Sequence, residues 1–572
     1  MDPSLPDVPL RRAVPVGSRR APVRASGPAD HGARVDAGWR SRADLLVAPV
    51  LVLLIGLSLA VLRSEHAPSP DAVSYLSIAE HAVRGEWGMA FNSYWSPLLS
   101  LALLPAGLAG WPLQPAARVL CVLVGCVTMV LLQRTMWQTG VSAPIARIMS
   151  VTAVPFVVFA TFHAISPDLL MATLLLGFAL ETVRPSGSAV RAGIHGGLAF
   201  LAKAYALPVV LITLAAIVLI RRLVPSRRTD PAHPFVTASI ACAIALVWIV
   251  PVSIEQGRFT ISAAASYHRD IAAPGSLGNA FQWAGLIEPA YPGDVSGWKN
   301  PATLPRPADR PAFAASRQRP EHLLSPADRH GKRLKRLGAN LSRLHKCLDL
   351  LLGAMLASLL WAASTARRVV TAGRRQTLDE AQRQALELCA CAVVYTSGLL
   401  LLVVETRYLY LPLLIAIVLA AIWLGERRAG RPGAASLLPI GLVAVATVVG
   451  PLSSLHSSFE RAGERATLQA FIASAAGDLQ GQRVASVPAS LGKIGSVCYA
   501  LGCTYLGAPR TDVAMSVSGQ LEDFEIDLLV VIGDRTLSLP GFSPVATLQH
   551  DTGHGSHRYT VHRARSVLEA PR

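Results

Sequence analysis

Runs of apolar residues long enough to cross a lipid bilayer recur along this chain and leave little freedom in how it folds. A spanning α-helix needs about 20 predominantly apolar residues. Such runs lie at 44–62, 118–132, 146–162, 169–183, 194–220 (long enough for two), 235–254, 347–366, 388–404, 408–424 and 435–452. They predict about 11 transmembrane helices, hence a mainly α, polytopic membrane protein. Composition agrees, with 52% hydrophobic and 16% charged residues against roughly 25% charged in soluble domains. A soluble globular fold is excluded.

The net charge of +17 raises nucleic acid as a partner, and the distribution of charge rejects it. The cations are mostly Arg, gathered in the N-terminal tail (Arg11, Arg12, Arg19, Arg20, Arg24, Arg34, Arg40, Arg42) and in short loops. Those loops hold Arg221, Arg222, Arg227 and Arg228, then Arg367, Arg368, Arg374 and Arg375, then Arg427, Arg428 and Arg431. An Arg excess in short loops marks the cytoplasmic side. No basic stretch is interleaved with aromatics as a single-strand platform requires. The partner is therefore the lipid bilayer, with the N-terminus in the cytoplasm. Residues 1–43, rich in Pro, Arg, Ala and Gly, read as a disordered tail. They are not a cleavable signal, because the apolar stretch that follows is too long and begins too late. The Arg- and Ala-rich composition suggests a bacterium with a GC-rich genome, hence an inner membrane.

Alternation of sides organises the rest. Residues 44–454 form the membrane domain, with 63–94 as a first periplasmic loop. The segment 95–111 is apolar but interrupted by Pro97 and Pro105 and followed by Pro112; proline removes an intrahelical bond, so this piece is expected to dip into the outer leaflet without crossing. That choice puts Arg134, Arg184 and Arg191 inside. It leaves Ser166, Pro167, Asp168, Lys203 and Tyr205 outside. The large Pro-rich loop 256–345 also falls outside, with 321–344 as a candidate amphipathic surface helix. Residues 455–572 read as a small extracytoplasmic α/β domain with a parallel sheet: a helix at 460–475 and strands at 483–487, 526–532 and 558–562. It carries no GxGxxG and no nucleophile elbow. Cys498 and Cys503 pair there only if the compartment is oxidising, and two cysteines without a framework leave that open.

The first outer loop runs Pro70, Asp71, then Tyr75, Ile78, Ala79, Ala82 and Val83 at helical spacing, which predicts a short surface helix. Asp71 stands where an N-cap would, and capping is a sufficient structural reason for it. Asp168 after Pro167 has the same explanation, against the alternative that an ionisable residue at a span end is functional. His163, one turn earlier, is a candidate divalent-metal ligand together with Asp168 or Asp71, although a helix end often carries a lone polar His; no cofactor is required. Tyr75, Tyr94, Trp95 and Tyr408 fit interface anchors, with sugar stacking a secondary use.

Four stretches together resemble a known family. The segment from Asp71 through Asn92, Ser93, Tyr94, Trp95, Ser96, Pro97, Leu98 and Leu99 is similar to the first periplasmic loop of the GT-C glycosyltransferases. The likeness is greatest to the branch of protein mannosyltransferases and lipid A aminoarabinose transferases (glycosyltransferase family 39-like). Ser166 to Leu170 resembles that family's acidic second loop. Gly196 to Lys203 resembles its Gly-rich span ending in Lys, and Glu405 to Pro412 its late Arg-Tyr-Leu-x-x-Pro element. The resemblance covers roughly residues 44–425. One departure is Ala72, where the aminoarabinose transferases carry a second acid, which weakens any two-carboxylate metal site.

The resemblance implies a GT-C-like membrane fold. It also implies a hexosyl- or pentosyltransferase that moves a sugar from a polyprenyl-phosphate donor to a lipid, glycan or protein acceptor of the cell envelope, with inversion. An acceptor hydroxyl needs a general base, for which Asp71 is the candidate. A leaving phosphate needs cations, for which Arg407 and Lys203 are the candidates, each with the alternative of an interfacial side chain reaching toward headgroups or, for Arg407, of pairing with Glu405. Asp168, His163, Tyr75 and Tyr408 are further candidate site residues. Two rival readings remain. A transporter or flippase would show repeated halves and charges at mid-membrane, and the chain shows neither. A scaffold anchoring the C-terminal domain would need one span.

Overall fold

A computed structural model describes residues 28–62, 68–91, 94–223, 234–255, 259–262, 337–345, 349–372, 380–401, 404–430, 437–477, 479–487, 494–507, 521–522, 525–533, 539–552 and 555–564, with single positions 257 and 347. Outside the described residues lie the basic tail through residue 27, Asn92 and Ser93, and most of the loop between 256 and 345. Arg227, Arg228, Arg374, Arg375 and Arg431 also lie outside them. The chain divides into two units, Met1–Asp44 and Leu45–Arg572, and the bundle, the sheet and the site all belong to the second.

The chain opens on α1 (Pro28–Leu62), so the tail expected to be unstructured through residue 43 is already helical from Pro28. Three short helices follow: α2 (Pro70–Val83), α3 (Trp87–Ala90) and α4 (Leu98–Leu108). The bundle then builds from α5 (Leu113–Gln138), α6 (Ala143–His163), α7 (Asp168–Val183), α8 (Ala189–Ala202), α9 (Ala206–Leu223) and α10 (Pro234–Glu255). It is completed by α11 (Leu352–Ala372), α12 (Glu380–Leu401), α13 (Tyr410–Gly430) and α14 (Leu437–Ala476).

Among the described residues every apolar run of the sequence is mainly helical, and the long run 194–220 resolves into α8 and α9, broken at Lys203. Among the described residues, eight helices are long and apolar enough to cross a membrane. The expected number of about 11 is not reached among the described residues. α7 has only 16 residues and α8 only 14, and α12 opens with Glu380, Arg383, Gln384 and Glu387. α4 spans 11 residues, about 16 Å of rise, roughly half a hydrocarbon core, a length too short to cross by itself. Residues 337–345 are helical and belong to the candidate span Leu337–Thr365, so the large loop ends earlier than expected, and only the part of the proposed surface helix before 337 lies outside the described residues.

Large apolar side chains face outward along the bundle, among them Leu54, Leu211, Val247, Leu359, Leu442 and Val449. In water so many would form an interaction patch; on these helices they meet lipid tails. The interior is a continuous apolar core centred on α6, α7 and α13, where Phe156, Phe178, Leu414 and Ile417 are fully buried. Gly193 and Gly197, four apart on α8, let it press against α10: a Cβ at Gly197 would sit 2.6 Å from Ile244 Cβ, and one at Gly193 2.9 Å from the Thr237 carbonyl. Small residues at this spacing let membrane helices approach closely.

α14 is a single helix of 40 residues, about 60 Å long and twice a hydrocarbon core. Its second half leaves the bundle and enters the C-terminal core through Leu468, Ile472 and Ala476. That domain contains β1 (Arg483–Val487), α15 (Ser496–Leu501), β2 (Thr504–Gly507), β3 (Leu528–Ile532), β4 (Phe542–Thr552) and β5 (Gly555–Ala564). The strand order is β2-β1-β3-β5-β4. β1 is parallel to β2 and β3, but β5 is antiparallel to both β3 and β4. The expected parallel sheet is thus corrected to a mixed one, because β4 and β5 form a hairpin and a hairpin can only pair antiparallel. Cys498 and Cys503 are both free thiols.

Candidate functional site

Helix ends bring the candidate residues together. Asp71 lies in the first turn of α2, Asp168 opens α7, and Lys203 is the C-cap of α8. Arg407 sits in a 3-10 turn, Thr406–Leu409, that leads into α13. All four charges therefore stand at one end of the bundle.

The helix starts differ from the sequence reading in a way that matters. Ser69, not Asp71, is the N-cap of α2; its Oγ accepts from the Ala72 N–H at 3.4 Å, and Pro70 occupies the first helical position. Asp168 is itself the first residue of α7, follows Pro167 as N-cap, and makes no side-chain cap bond. Neither carboxylate is consumed by capping, so both are available to other partners.

Those partners are the two cations. Arg407 Nη1 lies 2.5 Å from Asp71 Oδ2, and its Nε lies 2.8 Å from Glu405 Oε2 and 3.7 Å from Asp168 Oδ2. Lys203 Nζ pairs with Asp168 Oδ1. The ring of Tyr408 lies beneath both cations, with Lys203 Nζ 3.8 Å and Arg407 Cζ 5.1 Å from its centroid, and Arg407 Nη2 donates to the Tyr408 hydroxyl at 3.4 Å. Asp168 is buried, whereas a third of the Asp71 side chain and a quarter of Lys203 remain accessible. Buried carboxylate and half-buried cations form a floor; Asp71 forms the rim.

Backbone contacts hold the floor in place. The Ala204 N–H donates to Ser96 Oγ at 3.1 Å, tying the turn after α8 to the loop before α4, and the Ala206 N–H donates to the Lys203 carbonyl at 2.9 Å. Ser96 fell within a motif of the sequence but had no signal of its own. Burial lowers the Lys203 ammonium below the usual lysine value, an effect that Asp168 partly opposes.

Tyr75 faces the same charges from α2. Its ring meets Trp95 edge-on at 5.1 Å, and Trp95 meets Tyr94 at 4.6 Å. Burial, then the neighbouring Asp168 and Asp71 carboxylates, push its phenol well above the ordinary tyrosine range, so it remains a neutral donor. His163 is turned elsewhere: its Nδ1 is 3.5 Å from Ser458 Oγ and its ring packs on Phe159. Among the described residues no group of three or more His, Cys, Asp or Glu side chains comes together for a metal. The carboxylates present do not fit a divalent cation either, since Asp71 and Asp168 are each engaged by a cation of the chain.

Bundle and site together define a polytopic membrane protein with a charged cluster at one end of its helices. No family model matches the chain, and no curated protein matches it in sequence. Among solved structures it is similar to ArnT from Cupriavidus metallidurans bound to undecaprenyl phosphate, at 14% identity and a TM-score of 0.49, over 92% of this chain and 99% of that one. It is also similar to the archaeal oligosaccharyltransferase AglB from Archaeoglobus fulgidus, at 11% identity and 0.48, over 85% of this chain and 69% of that one. A third is the mycobacterial arabinofuranosyltransferase AftD, at 17% identity and 0.36, over 91% of this chain and 41% of that one. All three are GT-C glycosyltransferases.

Proposed function

We propose that this chain is a glycosyltransferase of the GT-C kind, moving a sugar from a polyprenyl-phosphate donor to a hydroxyl of an envelope acceptor at the periplasmic face of a bacterial inner membrane. The observation that carries the reading is the contact between Asp71 and Arg407: a rim carboxylate and a guanidinium meet where a lipid-borne phosphate would arrive along the helices. The four sequence stretches that resemble the family supply four of the residues in that cluster.

The chemistry assigns each group a task. The phosphate of the donor is held by Arg407, whose planar fork suits it, and by Lys203. Asp71 takes the proton of the acceptor hydroxyl as that oxygen bonds to the anomeric carbon. The bond from the anomeric carbon to the phosphate oxygen breaks, and its electron pair leaves with the phosphate. The charge that develops there is stabilised by the two cations. One displacement inverts the anomeric centre. Asp168, buried beneath, keeps Lys203 charged and in place. Lipid, glycan and protein acceptors all present such a hydroxyl.

The charges cluster at helix ends and not at mid-membrane, which sets the chain apart from the pattern of a secondary transporter. The test is transfer of radiolabel from polyprenyl-phosphate sugars to membrane acceptors, comparing the wild type with Asp71→Asn at equal expression. Label transferred only by the wild type supports the reading. Equal transfer by both removes Asp71 as the base, and saturable uptake into vesicles without any donor lipid would replace the reading with transport.

A further inference from the structure

The helix that carries Asp71 is held from both sides, and the C-terminal domain is one of them. At 100° per residue, Val73 and Glu80, seven apart, share one face of α2. Asp71 and Tyr75, four apart, share another, about 200° away. Ala72, Leu76 and Ala79 form the face between, packed on Leu99 and Leu103 of α4 and on Leu113 and Ala117 of α5.

The Val73 face does not meet the bundle. Val73 is fully buried within the C-terminal core, beside Leu468, Ile472, Val497 and Tyr559. Glu80 accepts, through Oε1, a hydrogen bond of 2.6 Å from the Tyr499 hydroxyl. Tyr499 belongs to α15, and its ring packs against both the C-terminal core and the α2–α4–α5 cluster. Burial and then the Glu80 carboxylate raise the Tyr499 phenol above its ordinary range, so it stays protonated and donates. The other Glu80 oxygen is 4.0 Å from Arg84, one turn on in the same helix. The tie to Tyr499 is thus the link by which Glu80 reaches outside its own helix.

We infer that the C-terminal domain positions the catalytic loop: Tyr499, through Glu80, fixes the rotation of α2 and so holds Asp71 against Arg407. On the bundle side α2 is docked by Ala72, Tyr75, Leu76 and Ala79, by Ile78 and Ala82 and by the Ser100 hydroxyl on the Tyr75 carbonyl, contacts on one side about which a short helix can still roll. A bond from the neighbouring Val73–Glu80 face to a rigid partner outside the bundle opposes the roll. The 40-residue α14 makes that neighbour rigid, because one helix runs from the bundle into the core that bears α15. Tyr499 and Glu80 are positioning residues and do not touch the reacting atoms. This inference rests on Asp71 being the base, but its physical half, the clamp on α2, does not.

Hydrogen exchange of the full chain in nanodiscs separates the two halves. Losing a part-buried hydroxyl-to-carboxylate bond frees α2 by roughly tenfold faster opening. Tyr499→Phe and Glu80→Met are expected to speed exchange in peptides covering 70–83 by that factor, while α13 and the sheet exchange as in the wild type. The pair of substitutions together should add little to either alone. Transfer from the polyprenyl-phosphate donor should then fall about tenfold in kcat with KM unchanged, since Arg407 and Lys203 lie on other elements. Glu80→Met guards against a folding artefact, because Glu80 is not part of the C-terminal core. Unchanged exchange in 70–83 for both variants, or faster exchange spread over the whole domain in both, overturns the clamp. Should Asp71→Asn transfer sugar at the wild-type rate, the catalytic reading fails while the exchange result still decides the clamp.

Discussion

Arg407 Nη1 lies 2.5 Å from Asp71 Oδ2, joining a surface helix near the start of the chain to the head of a helix near the end of the bundle. The pair defines what each residue can do before substrate arrives. Arg407 holds the carboxylate in position, and the carboxylate holds the guanidinium away from full engagement with other anions. A phosphate entering the site competes with Asp71 for the same donors. Substrate binding would therefore loosen the carboxylate from its cation and free it at the point where a proton must be accepted.

Asp71→Asn keeps the shape and removes the acceptor for that proton. General-base catalysis contributes on the order of 10²–10⁴ in rate, so transfer is expected to fall by that factor while affinity for a polyprenyl monophosphate is kept or rises, the competing carboxylate being gone. Binding by tryptophan quenching and transfer by radiolabel would be measured on the same preparation. A loss of affinity as large as the loss of rate would show that Asp71 organises the phosphate site and is not the base.

Arg407→Lys retains charge and loses the fork. A guanidinium reaches Asp71, Glu405 and the Tyr408 hydroxyl through different nitrogens, and an ammonium on a shorter span cannot replace that set. The expected outcome is a fall in transfer of about 10²–10³, the magnitude of losing a transition-state charge contact. Purification yield and thermal unfolding should stay near wild type. Activity within a few-fold of wild type would demote Arg407 to a headgroup anchor.

Lys203 supplies a pH dependence with a definite sign. Burial lowers its ammonium below the ordinary value, about 10.4 for lysine. The charged form that holds phosphate is present at neutral pH and is lost as pH rises through the lowered value. Over the window between that value and the ordinary one the unfolded chain binds the proton more readily, so stability rises with pH while phosphate affinity falls. Affinity for a polyprenyl monophosphate, followed from pH 7 upward, should show an alkaline limb lying below 10.4. Lys203→Arg should shift the limb beyond the accessible range, and a limb that stays where it was would assign it to another group.

The sequence made the helices legible because lipid imposes one rule on every residue of a span, and about 20 apolar residues in a row have no other use. The break at Lys203 and the shortness of the helix between Pro97 and Pro112 were legible for the same reason. The C-terminal domain was half legible: β1, β3 and β5 are apolar or alternating, while β2 is four residues long and β4 carries Pro544, His550 and Asp551. Individual site residues stood out as charges at span ends. Their pairing did not, because Asp71 with Arg407 and Asp168 with Lys203 are set by how helices pack and not by spacing. Ser69 as the cap of α2 lay two residues from Asp71 and was missed since Asp caps equally well. Tyr499 with Glu80 had no sequence signal at all; each is an ordinary residue on a short helix.

The Arg cluster at the other end of the bundle illustrates the same limit and leads to a further expectation. Sequence reading gave Arg221 only a topological role, yet its Nε and Nη2 reach both carboxylate oxygens of Glu387 at 2.9 and 3.0 Å, and Nη2 also donates to the Thr182 carbonyl at 2.7 Å. Glu387 is completely buried, with Arg383 Nε 3.7 Å away. Removing the carboxylate leaves the Arg221 guanidinium without an anion, while Arg383 keeps Glu380, and breaking a buried pair from one side costs about 3–5 kcal/mol. Glu387→Ala should therefore lower the unfolding temperature in detergent and reduce yield. Arg221→Met combined with Glu387→Leu should recover most of the loss, because a buried pair replaced by apolar side chains is near neutral. Transfer activity per folded molecule should be close to wild type in the double variant, since the cluster lies at the opposite end of α7 from Asp168. A double variant as unstable as Glu387→Ala would mean that Arg383 or the Thr182 carbonyl, and not the Arg221–Glu387 pair, sets the local stability.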